Sequence, residues 1–135
     1  MPGAVAVIDE VEYSELRADR ATALIAASFF SREFDPDELG EVSIALVGRD
    51  VIWELNKKFR GKDAPTDVLS FELDGPYGEM VGEIVISPEC ANPAMTVEEL
   101  VVHGALHLAG MDHGDDFDSS EMATVQARVL EMTRA

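Results

Sequence analysis

This chain has three histidines, and all of them fall in HGALHLAGMDH, His103 to His113. On an α-helix His103 and His107 stand one turn apart and about 40° round the axis, so their imidazoles can converge on one ion. Gly110 is placed to end that helix, and the reversal it permits would bring His113 round as a third donor. The spacing H-x3-H-x2-G-x2-H is the zinc-ligand skeleton of the metzincin proteases. Three imidazoles with one open corner predict a catalytic zinc site, although nickel or cobalt would accept the same donors. Two competing arrangements are solvated histidines at a helix end and a structural zinc closed by a fourth protein ligand. For the latter, Cys90, Asp112, Asp115 and Asp116 are the candidate donors. Asp112 is alternatively a partner that fixes the tautomer of a ligand imidazole, or a loop residue facing water.

Gly104 stands where those proteases carry the glutamate that moves the proton from metal-bound water to the leaving amine. A glycine inside a helix costs ~1 kcal/mol relative to alanine, so close packing of the helix on a sheet is expected to offset it. Without the glutamate, peptide or amide hydrolysis needs a carboxylate from elsewhere in the chain. Phosphodiester cleavage fits better. It can use a zinc-activated water, whose pKa falls to ~7, and an arginine that holds the phosphate oxygens as charge builds.

The second informative stretch is LNKKFRGKDAPTDVLSF, Leu55 to Phe71. Lys57, Lys58 and Arg60 would occupy the last turn of a helix, where cations complement the dipole, with Lys62 in the following turn. The alternative role for these lysines is contact with the phosphates of a polyanionic substrate. Arg60 adjoins the Gly61 stop and can point off the helix end, and its bidentate fork matches phosphate geometry.

Four of the ten basic residues lie in KKFRGK, inside a chain of 135 residues with net charge −17. A negative body with one positive spot suits a small, specific anionic footprint and argues against general coating of nucleic acid. An apolar content of 47% supports one packed domain over residues 1–135. A lone cysteine forms no internal disulfide, no apolar run approaches the ~20 residues that span a bilayer, and the N-terminus lacks the basic start of a signal peptide. The expectation is a soluble cytoplasmic protein without a membrane partner. The sequence sets no oligomeric state.

The elements that must position these residues can be read from pattern. AVAVIDEV alternates as a strand, SELRADRATALIAASFF has helical spacing (Ala21, Leu24, Ile25), and EVSIALVG reads as a strand buried on both faces. RDVIWELNKKFRG predicts a helix with Asp50 as N-cap, a stripe of Ile52, Leu55 and Phe59, and Gly61 as its end. TDVLSFEL and MVGEIVIS flank DGPYGE as a β-hairpin. TVEELVVHGALHLAG opens with a Thr96/Glu99 capping box. A last helix starts near Asp118 and lines up Met122, Val125, Val129 and Met132. The order β-α-β-α-β-β-α-α predicts an α/β (α+β) domain, a mixed four-stranded sheet packed with helices.

Taken in order, N-x-x-F-R-G-K-D-x-P-T-D-V-L-S-F, G-E-I-V-I-S and H-G-x-L-H-L-x-G-x-D-H closely resemble the YbeY endoribonuclease family of bacterial ribosomal-RNA maturation factors. The likeness covers Leu55 to His113. It implies a metal-dependent, single-strand-specific endoribonuclease that matures the 3′ end of the small-subunit ribosomal RNA and serves ribosome quality control. The implied partners are single-stranded ribosomal RNA and the small subunit or its assembly factors. By motif position His103, His107 and His113 would hold one zinc, with water as fourth ligand, and Arg60 would be the functional arginine. A non-catalytic assembly protein with a structural zinc is the alternative. PECANPAM is too short for an extra helix expected before the metal helix, and Met111 replaces an aromatic residue usual before the Asp-His pair.

Overall fold

The computed structural model describes residues 5–9, 16–33, 39–74, 80–111 and 120–134. Strands β1 (Val5–Asp9), β2 (Leu39–Leu46), β3 (Val68–Asp74) and β4 (Met80–Ile86) form one sheet in the order β1-β2-β4-β3. β1 and β4 run parallel to β2, and β3 runs antiparallel to β4, so β3 is an edge strand among the described residues. Helix α1 (Ala18–Ser31) makes the crossover from β1 to β2, as parallel neighbours require. The mixed sheet and element order expected from pattern are therefore present. The chain between the hairpin strands lies outside the described residues.

Period-two alternation divides the core. Val42, Ile44, Leu46, Ile84 and Ile86 face α1, α3 (Val97–Leu108) and α4 (Glu121–Met132), which together form the main core. Ala45, Val47, Leu69 and Val85 face the opposite way and bury Ile52 and Leu55 of α2 (Arg49–Arg60). Arg20 ties the three-helix layer together: its Nε and Nη2 lie 3.1 Å from Glu98 Oε1 on α3, and Nη1 donates to the Thr133 carbonyl after α4.

Several expectations need correction. α1 begins at Ala18 with Arg17 as N-cap, after a buried Leu16 outside the helix. Gly48, not Asp50, is the N-cap of α2, and Asp50 sits in the first turn, where its charge still complements the dipole. Phe59 leaves the apolar stripe: it is 55% exposed and meets Phe71 of the edge strand β3 rather than the buried cluster around Ile52. On α4, Ser120 is the cap, Met132 is exposed, and Gln126 takes the buried position between Met122 and Val129.

Candidate active site

The helix that carries the histidines is fixed at both ends. Thr96 and Glu99 form the expected capping box, with Thr96 Oγ1 accepting from the Glu99 amide at 3.1 Å. At the other end Gly110 adopts φ 93°, a conformation that suits glycine, and the Gly110 and Met111 amides donate at 3.0 Å to the His107 and Leu106 carbonyls. This is a Schellman stop, and the burial of both Met111 and Leu106 in the main core adds its usual apolar contact.

Gly104 faces the sheet. A Cβ built there would lie 2.7 Å from Ile84 Cγ2 and 3.0 Å from Ser70 Oγ. Ser70 Oγ donates to the Gly104 carbonyl at 3.0 Å, so β3 and α3 are joined at this close approach. The packing expected to offset the helical glycine is thus present. A side chain at 104 would point into the sheet rather than toward the histidines.

His103 and His107 lie half-buried elsewhere on the helix circumference, with their Nε2 atoms 3.2 Å apart and their rings 70° from coplanar. Two imidazoles bound at ~2.0–2.1 Å to a tetrahedral ion place their donors roughly 3.3 Å apart. The observed separation matches, and this donor pair fits a zinc-like ion. Asp112, His113, Asp115 and Asp116 lie outside the described residues. Cys90 does not fit as a further ligand: it ends the 3-10 turn Pro88–Cys90 and packs against the smaller cluster, on the opposite face of the sheet from α3.

Gln126 is the site residue that motif reading missed. It is buried, and its Oε1 lies 3.1 Å from His103 Nδ1. With Nδ1–H donating to this acceptor, the His103 lone pair sits on Nε2, facing His107. A signal was present in the sequence: a glutamine one turn from both Met122 and Val129 occupies an apolar stripe where an unpaired amide would be costly.

His103 and His107 open onto a cleft of about 940 Å³ whose other wall includes Arg60, Lys62, Asp67, Ser70 and Glu72. Arg60 reaches over the sheet edge. Its Nη2 donates to the Ser70 carbonyl, and its guanidinium lies 5.2 Å from the Phe71 ring centroid. The turn after α2 is held in place by Gly61 in a left-handed conformation, by buried Asn56 Nδ2 donating to the Ala64 carbonyl at 2.8 Å, and by Trp53 Nε1 donating to Asp63 at 2.8 Å. Lys62 therefore joins the cleft wall, whereas Lys57 and Lys58 are exposed and stand outside it.

The model of the family described as endoribonuclease YbeY matches residues 7–134 of this chain. The chain belongs to the YbeY endoribonuclease family. An endoribonuclease YbeY from Rubrobacter xylanophilus is 61% identical over 135 residues, covering 99% of this chain and 98% of the relative. One from Salinispora tropica is 36% identical over 140 residues, covering 87% and 89%. The solution structure of TM1509 from Thermotoga maritima superposes with a TM-score of 0.54 at 30% identity, covering 96% of this chain and 88% of that one. Membership in the YbeY family places the chain among the hydrolases that cut RNA internally. PECANPAM, read from its length as too short for an extra helix before α3, holds the 3-10 turn Pro88–Cys90.

Proposed function

We propose that this chain is a metal-dependent, single-strand-specific endoribonuclease acting in the cytoplasm on ribosomal RNA, notably the 3′ end of the small-subunit RNA, in contact with the small subunit or its assembly factors. The observation that carries the metal-dependent chemistry is the convergence of two imidazole Nε2 atoms, 3.2 Å apart, in a cleft shared with Arg60. His103 and His107, joined by His113 at the third motif position, would hold one zinc ion. When bound, that ion supplies a nucleophilic water at neutral pH and neutralises charge on a phosphate oxygen. Gln126 keeps the proton of His103 on Nδ1. Arg60 commits Nη2 to the Ser70 carbonyl and is steadied by Phe71, which leaves its other N–H donors for the charge that develops on a phosphodiester. Gly104 supplies no carboxylate, which favours phosphodiester over peptide cleavage.

Elemental analysis paired with an assay on single-stranded RNA, before and after chelation, tests this reading. His107→Ala should lose metal and cleavage together. Arg60→Ala should keep the metal and lose about 10²–10³-fold in rate. Metal-loaded protein that leaves single-stranded RNA intact would overturn the proposal.

A further inference from the structure

The exposure of Phe59 has a second aspect. The ring sits at the end of α2 in an edge-to-face contact with Phe71, centroids 5.5 Å apart and planes 70° from parallel, and Lys58 Nζ stands over it 5.2 Å from its centroid. Phe71 carries the Arg60 guanidinium at 5.2 Å. An aromatic surface interleaved with cations thus wraps the edge of β3. Phe59 lies on the α2 side, Arg60 crosses the edge, and Ser70 and Glu72 belong to the cleft on the α3 side.

An exposed phenyl ring alone is unremarkable. Three facts distinguish this one. It adjoins in sequence the arginine of the cleft wall. It stands among Lys57, Lys58, Arg60 and Lys62, the cationic concentration of a chain with net charge −17. Its contact with Phe71 is edge to face rather than stacked, Lys58 Nζ stands over the ring, and Phe59 still keeps 55% of its surface exposed. Polyanions are drawn to such a spot, and unpaired bases stack on aromatic rings whatever their sequence. A duplex keeps its base faces covered, whereas a single strand presents them.

We propose that Phe59 is a stacking platform for one unpaired base of the RNA strand, and that the strand crosses the β3 edge with its phosphate at Arg60 and Lys62 and that base outside the cleft. This rests on the RNA-cleaving reading and extends it, because it specifies the strand's route and gives single-strand preference a physical basis. It also assigns Lys58 to the outer phosphates rather than to the cleft.

The test uses the full-length protein in excess chelator, so that nothing is cut, and a fluorescein-labelled single-stranded oligoribonucleotide followed by anisotropy. Loss of one base stack should weaken binding of Phe59→Leu about 5- to 100-fold, while Phe59→Tyr stays within about threefold of the parent. An oligonucleotide series with one abasic position moved along the strand should contain a position at which parent and Phe59→Leu bind alike. Circular dichroism confirms that the variants fold, as expected for an exposed side chain. Equal binding by parent and Phe59→Leu would overturn the platform while leaving the proposed function intact, as would the absence of any abasic position that removes the difference. Failure of the metal-free parent to bind the single strand would likewise overturn the platform, and the proposed function is judged separately by cleavage with the metal-loaded protein.

Discussion

Gly104→Ala is the sharpest test of how this site is built. On helix propensity alone the substitution should stabilise α3 by ~1 kcal/mol. The new methyl, however, would lie 2.7 Å from Cγ2 of Ile84, a fully buried branched side chain in the central strand β4, and 3.0 Å from Ser70 Oγ. Cγ2 is bonded directly to Cβ and cannot swing clear, so helix or strand must shift. Overpacking of this kind costs ~1–3 kcal/mol. The shift also strains the 3.0 Å bond from Ser70 to the Gly104 carbonyl, worth ~1 kcal/mol. Propensity gained and bond weakened roughly cancel, which leaves a net loss of ~1–3 kcal/mol. Urea unfolding would read this directly, and the melting temperature should fall by roughly 3–5 °C per kcal/mol in a domain of this size. Ile84→Ala removes the obstructing atoms at its own cost of ~2–5 kcal/mol. In that background Gly104→Ala should turn neutral or stabilising, a coupling of ~1–3 kcal/mol in the double-mutant cycle. A stabilised Gly104→Ala single variant, or the same loss in both backgrounds, would refute the close-packing explanation. By the same logic Gly104→Glu creates no protease, because its carboxylate would be driven into the sheet.

Other substitutions separate the remaining parts. Gln126→Leu should weaken metal binding about 10- to 100-fold in a chelator competition, and nitrogen NMR of the His103 ring should show loss of the single Nδ1–H tautomer; unchanged affinity and tautomer would count against the positioning role. Arg60→Lys keeps the charge but loses the planar fork, so it should bind RNA within a few-fold of the parent in anisotropy and cleave much more slowly in a gel assay. Gly110→Ala must hold φ 93° against the preference of an L-residue and should cost about 1 kcal/mol in urea unfolding. Thr96→Ala removes the cap oxygen from the Glu99 amide and should cost ~1 kcal/mol by the same measurement.

The parts that could be read from sequence were those set by local spacing. His103 and His107 converge because a helix places residues four apart on one face, and Thr96, Glu99 and Gly110 signal that helix's ends through their own chemistry. The mixed sheet follows from alternation and from the crossover that parallel strands need. What escaped was set by long-range geometry. Phe59 satisfies the helical period, yet at the last turn it meets only the edge strand β3 and stays 55% exposed. Gln126 gains its role from a histidine twenty-three positions away, a contact no local pattern contains. Lys57, Lys58 and Lys62 look equivalent in the motif, but the left-handed turn at Gly61 sends only Lys62 to the cleft wall.

The hydrogen bond between His103 Nδ1 and Gln126 Oε1 also ties that ring to the last helix of the chain. Terminal elements open locally at lower cost than a central sheet. Each local opening of α4 would release the His103 ring from this acceptor without unfolding α3, so the order of the ring depends on how firmly the final helix stays docked.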